Sequence, residues 1–162
     1  MTTNYKPDSP IITTCESDFD IAQFNLTKKI LGVGGFGIVQ LVERCKGNGE
    51  SELFAMKASS KESVLKRPNG VNSVMSELRC LILLQEQAFI CNIQYAFQDA
   101  RYLFLVLELV EGGDMRTTMR TMENCRFSEA IVKFYACQII LAINSCHVSG
   151  ILHRGIVACH SF

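Results

Sequence analysis

The chain has no tryptophan, only three prolines in 162 residues, and no excess of charge, since sixteen basic residues balance sixteen acidic ones. Zero net charge supplies no global field to gather nucleic acid or anionic lipid, so neither is expected as a partner. The few prolines and eleven glycines exclude a collagen-like or low-complexity chain. A long apolar run is missing too. Met1 to Pro10 is polar and lacks the apolar centre of a secretory signal. The richest apolar stretch, Phe134 to Ile143, is ten residues long and broken by Gln138, whereas a membrane span needs about 20 residues. These absences predict a soluble, cytoplasmic or nucleocytoplasmic chain, neither secreted nor in a membrane.

What is present suffices for a core. Apolar residues make up 48% of the chain and charged ones 20%, which excludes a wholly disordered protein too polar to offset the entropy of folding. Eight cysteines (Cys15, Cys45, Cys80, Cys91, Cys125, Cys137, Cys146 and Cys159) invite a disulfide or zinc reading. No C-x-x-C occurs, and most of the eight fall in segments patterned as helix, strand or their edges. Free buried thiols are the better expectation. Cys146-His147 and Cys159-His160 have no second pair at zinc-ligand spacing, so no metal site is assigned.

After a lead-in over residues 1–23, expected to be flexible, short β-type runs follow: Asn25 to Leu31, Ile38 to Arg44 and Leu53 to Ala58. Lys46-Gly47-Asn48-Gly49-Glu50 reads as a hairpin turn and Lys61 to Asn72 as a charged loop. A helix capped by Asn72 or Ser73 then carries Val74, Leu78, Leu81 and Ile82 on one face. Ile93, Tyr95 and Phe97 alternate with polar or small residues, and Tyr102 to Leu107 is apolar on both faces, as in a central strand. Gly112-Gly113 breaks the chain before a short polar helix near Asp114. Ser128 caps a long helix to Cys146, which Gly150 stops; it is apolar nearly all round and needs neighbours on most sides.

The chemistry begins at Gly32-Val33-Gly34-Gly35-Phe36-Gly37-Ile38-Val39. Glycines at the first, third and sixth positions free the backbone to curl over phosphate oxygens and aim N–H groups at them. The loop lies between two strands, whereas the dinucleotide-binding version opens a helix; a plain glycine-rich hairpin is the bland alternative. Phe54-Ala55-Met56-Lys57 places Ala55 and Lys57 on one strand face, suiting a flat ring over the alanine and phosphates near the ammonium. The plain alternative is a solvent-facing lysine. Glu77 lies inside the apolar stripe of its helix, where a carboxylate is costly unless a cation meets it. Lys57 is the evident partner.

With loop, strand lysine and stripe glutamate in this order, the chain resembles the eukaryotic protein kinases from about Phe24 to Arg154. Leu103 to Asp114 resembles their last N-lobe strand and hinge, and Phe89 to Asp99 with Phe127-Ser128-Glu129 resembles the AGC group of serine/threonine kinases. The resemblance implies an α+β fold: a five-stranded antiparallel N-lobe with one helix over 24–109, and a hinge with the first C-lobe helices over 110–154. It implies Mg-ATP as phosphoryl donor. Val39 and Ala55 would roof the adenine, Leu107 would be the gatekeeper, and the backbones of Glu108 and Val110 would hydrogen-bond the ring. Asp114 would contact the ribose, and Lys57, held by Glu77, would bind the phosphates.

The resemblance stops abruptly. Where protein kinases read H-R-D-x-x-x-x-N, this chain reads His153-Arg154-Gly155-Ile156-Val157-Ala158-Cys159-His160. Gly155 occupies the place of the catalytic aspartate and His160 that of the metal-binding asparagine. Residues 155–162 do not match the family, and no D-F-G follows to hold magnesium. The expectation is a truncated kinase that binds ATP weakly and transfers no phosphoryl group. Gly155-Ile156 is also what translation into an intron donor after the first base of an aspartate codon would encode. The alternative is a non-catalytic, pseudokinase-like interaction module that binds nucleotide or a kinase partner. In either case the long helix would attract a protein partner or chaperone.

Overall fold

The computed structural model describes residues 11–12, 20–35, 37–46 and 49–155. The strands are β1 (Ile11–Ile12), β2 (Asn25–Val33), β3 (Gly37–Cys45), β4 (Ser51–Ser60), β5 (Ile93–Gln98) and β6 (Tyr102–Glu108). The helices are α1 (Lys61–Leu65), α2 (Gly70–Leu83), α3 (Met115–Thr121) and α4 (Glu129–Val148). The chain divides into two units: residues 1–82 with 93–109, and residues 83–92 with 110–162.

The first unit is built on one sheet in the order β1-β5-β6-β4-β3-β2. The five strands read from the sequence pair antiparallel throughout. Inside the expected lead-in the structure adds β1, which pairs parallel with β5 through Ile11↔Tyr95 and Ile12↔Ala96, and a 3-10 turn at Ile21–Gln23. A two-residue strand is too short for alternation to register as a pattern. The β3–β4 turn closes as its glycine spacing suggests: the Lys46 N–H donates to the Glu50 carbonyl at 2.7 Å and Gly49 adopts φ 86°.

Alternation along the strands sorts side chains onto two faces. One face gathers Phe24, Val42, Phe54, Met56, Phe97, Phe104 and Val106 into a buried cluster. With no tryptophan to fill space, phenylalanine and tyrosine rings do so: Phe97 stacks on Phe104 at 5.0 Å between centroids, and Phe24 on Phe97 at 5.8 Å. The opposite face buries Ile93, Ala96 and Leu105 against Leu78, Leu81 and Ile82 of α2. The apolar stripe of that helix therefore meets the sheet as its spacing predicts.

The segment expected as a loop, 61–72, is mostly helical. Ser60 accepts a hydrogen bond from the Ser63 N–H at 3.4 Å and caps α1, and α2 already opens at Gly70. Charge and Pro68-Asn69-Gly70 masked this arrangement, because only the turn between two short helices uses those residues; Asn69 takes φ 58°.

In the second unit, Gly112 (φ 103°) and Gly113 (φ 78°) take left-handed conformations ahead of α3. Ser128 caps α4 by accepting from the Ile131 N–H, and Gly150 follows its end at φ 73°. The buried residues of α4 are Ala142 and Cys146, while Phe134, Ile140 and Leu141 are exposed. At twenty residues α4 is long and apolar enough to cross a membrane by length and composition, a match hidden when the apolar run is counted only from Phe134 to Ile143. The described cysteines stand outside disulfides, and Cys146 alone among them is buried. The sequence placed most thiols inside elements correctly; it did not say which face each would occupy.

Candidate functional site

Strand register assembles the site face. Val39 lies opposite Lys57, Lys57 opposite Leu105, and Leu105 opposite Ala96; one step along, Leu41 lies opposite Ala55, Ala55 opposite Leu107, and Leu107 opposite Ile93. Directly opposed residues share a face, so Val39, Ala55, Lys57 and Leu107 all project on the side covered by α2. The Lys57 ammonium donates to the Glu77 carboxylate of α2 as an ion pair. The lysine side chain is 18% exposed and the glutamate 35%. The half-burial resolves the apparent conflict of a carboxylate in an apolar stripe.

The glycine-rich loop joins β2 to β3 and closes on itself, the Gly34 N–H donating to the Gly37 carbonyl at 2.8 Å. Its glycines serve different ends. A Cβ on Gly37 would stand 1.9 Å from the Ala58 carbonyl oxygen on β4, whereas one on Gly32 would meet nothing within 4 Å. Sheet packing by itself thus demands a glycine at 37, a requirement the motif did not reveal. Gly37→Ala is expected to lower stability by about 2 kcal/mol or more, because backbone has to move; Gly32→Ala should leave it unchanged. Urea denaturation of the two variants checks this contrast. Gly35 lies at the bend, and Val33 is an exposed end of β2. Phe36 and His160, both singled out from the sequence, lie outside the described residues.

A cavity of about 580 Å³ lies on the other, aromatic face of the sheet, where Met56, Ala58, Phe104 and Ile38 join Gly35, Gly37, Ser60, Ser63 and Arg67. Nothing in the sequence motifs pointed to it. Strands β2, β3, β4 and β6 form its floor, and Ser63 of α1 and Arg67 of the turn after it close one side.

Glu108 ends β6 opposite Phe54. Val110 and Asp114 belong to the second unit. The Asp114 carboxylate accepts from the Thr117 N–H at 2.7 Å and from Thr117 Oγ1 at 3.0 Å, capping α3. The backbone hydrogen bond from Thr117 holds its pKa below the usual carboxylate range. Gly155, exposed and in no regular element, has open space where a side chain would stand. Nothing at that position can accept a proton. No group of three or more His, Cys, Asp or Glu placed to hold a metal occurs among the described residues.

Comparison with known proteins agrees with this geometry. The protein kinase domain matches residues 26–157. The chain is 37% identical over 136 residues to Protein kinase C-like 1 of Caenorhabditis elegans, covering 84% of this chain and 18% of that protein. It is 38% identical over 135 residues to Ribosomal protein S6 kinase alpha-2 of Homo sapiens, covering 83% and 18%. To Serine/threonine-protein kinase CBK1 of Debaryomyces hansenii it is 31% identical over 151 residues, covering 93% and 20%. The chain therefore spans about a fifth of the length of the curated relatives it matches. A sheet that presents Lys57 to Glu77 beside a glycine-rich loop, within a sequence matched over 26–157, places this chain in the protein kinase family, serine/threonine type and AGC-like.

Proposed function

We propose that this chain binds a nucleoside triphosphate, ATP, through the glycine-rich loop, Lys57 and the strand end at Leu107 and Glu108, and that it transfers no phosphoryl group. The observation that carries the reading is the Lys57–Glu77 ion pair, which holds an ammonium on the same sheet face as Val39 and Ala55. A lysine fixed this way suits the α- and β-phosphates of a bound nucleotide. Magnesium would arrive with the nucleotide, since the family's metal-binding asparagine is replaced by His160. Loss of catalysis follows from Gly155: without a carboxylate there, no base takes the proton of an attacking hydroxyl. Weak binding is proposed because His160 stands where the family's metal-binding asparagine would be, which removes one anchor for the magnesium that accompanies the nucleotide.

The test is thermal denaturation with and without ATP, beside transfer of labelled phosphate to a basic peptide. A ligand that binds only the folded state raises its melting temperature. We expect a shift with ATP and no transfer; no shift at saturating ATP, or measurable transfer, overturns the reading.

A second reading, a non-catalytic module that docks a protein partner or chaperone, is favoured by the exposed Phe134, Ile140 and Leu141 of α4. We read α4 as such a packing surface and not as a membrane span because it lies inside the matched kinase domain. Described cysteines that stand outside disulfides fit a reducing compartment, cytoplasmic or nucleocytoplasmic.

A further inference from the structure

The glycine-rich loop meets a second cation, supplied from the turn between α1 and α2. That turn is fixed to the sheet. It follows directly on β4, the strand that carries Lys57, with Ser60 capping α1 at the junction. The backbone of Arg67 is held on both sides, its N–H donating to the Val64 carbonyl at 3.3 Å and its carbonyl accepting from the Gly70 N–H at 3.1 Å. The start of α2 presses so closely on α1 that a Cβ on Gly70 would lie 1.9 Å from the Val64 carbonyl oxygen. The root of the arginine side chain therefore has a set position relative to Lys57.

From there the guanidinium reaches the loop. Arg67 Nη1 lies 3.1 Å from where a Cβ on Gly35 would stand, and the two residues line the cavity on the aromatic face together. Among the described residues the base of the loop is fixed by the Gly34–Gly37 hydrogen bond and by the contact of Gly37 with β4. Arg67 touches the bend. Lys57 projects from the opposite face of the sheet, so the loop has one cation on each side.

We infer that Arg67 is a positioning residue for the nucleotide: it holds the bend of the glycine-rich loop and adds a second positive charge for the outer phosphates of a triphosphate. The inference rests on the nucleotide-binding reading. Glycines leave the loop free to open, so a contact at the bend decides how much of the bound state is already formed. A guanidinium is always charged, so its field reaches the phosphates across the loop. A charge at the bend acts on the phosphates that distinguish ATP from AMP. Its signature is lost preference for the triphosphate, not a uniform weakening.

The test titrates the whole chain with ATP and with AMP at low and at raised salt. Arg67→Ala should weaken ATP about fivefold, the scale of one exposed charged contact, and leave AMP within about twofold. Arg67→Lys should recover part of the ATP affinity and Arg67→Gln none. The ATP difference between wild type and Arg67→Ala should shrink as salt screens it. Equal losses for ATP and AMP would mean a merely structural role and overturn the inference, as would wild-type behaviour of Arg67→Gln. If the wild type binds ATP and Arg67→Ala binds it equally well, the inference fails and the nucleotide reading stands. If the wild type binds neither nucleotide, both fail. Arg67 is exposed, so melting temperatures close to wild type are expected for all three variants.

Discussion

Phe104→Ala is expected to cost about 3–5 kcal/mol of folding stability, the range for truncating a buried phenylalanine. Phe104 is 6% exposed, stacks on Phe97 and lies 6.0 Å from Tyr102 between ring centroids. It sits on β6, hydrogen-bonded between β4 and β5, and opposes Ala58 on one side and Phe97 on the other. Neither neighbour can fill the void: alanine is too small, and the Phe97 ring is held by Phe24 on its own stack. The cavity should therefore stay open, adding its own penalty to the lost transfer energy. Domains hold about 5–15 kcal/mol in total, so this variant would lie near the edge of folding. Urea unfolding should show a lower midpoint at an unchanged slope. Phe134→Ala on α4 is the control. Its ring is 61% exposed, and a change beyond about 0.5 kcal/mol there would mean that the ring is covered after all.

The contrast between those two rings shows where the sequence was legible. The unbroken apolar run from Tyr102 to Leu107 marked a central strand, and alternation put Ala55 and Lys57 on one face, to which the register adds Val39 and Leu107. Glu77 was legible for a physical reason: a carboxylate in an apolar stripe needs a cation, and Lys57 was in reach. The short elements were not legible. The five residues of α1 are too few to show a period, and its cap, Ser60, is also the last residue of β4. The β1 ladder depends on a partner more than eighty residues away, which no local signal encodes. The same blind spot hid Arg67. Read as part of a charged loop, it had no reason to stand beside Gly35. Gly37 has a second requirement that the motif did not show, the close approach of the Ala58 carbonyl.

Lys57→Met should abolish the stabilisation by ATP while leaving the unliganded fold close to wild type. With ATP at about 100 times its dissociation constant, the wild type gains about 2.7 kcal/mol, and that whole increment is at stake. Methionine keeps the apolar stem of the lysine against the sheet, and the Glu77 carboxylate it leaves behind is 35% exposed and can hydrate. The fold therefore has little reason to respond. Glu77→Gln removes the anion instead, and the ammonium of Lys57, whose side chain is only 18% exposed, loses the group that fixes its direction. It should weaken ATP about tenfold or more through misplacement. Neither variant alone separates a ligand-binding lysine from one that only ties α2 to the sheet, because each breaks the same ion pair. The exchange Lys57→Glu with Glu77→Lys does. It restores an ion pair between β4 and α2, so a purely structural pair predicts wild-type melting and a wild-type response to ATP. A phosphate-binding lysine predicts wild-type melting with no response, since a carboxylate now stands where the phosphates should lie and repels them.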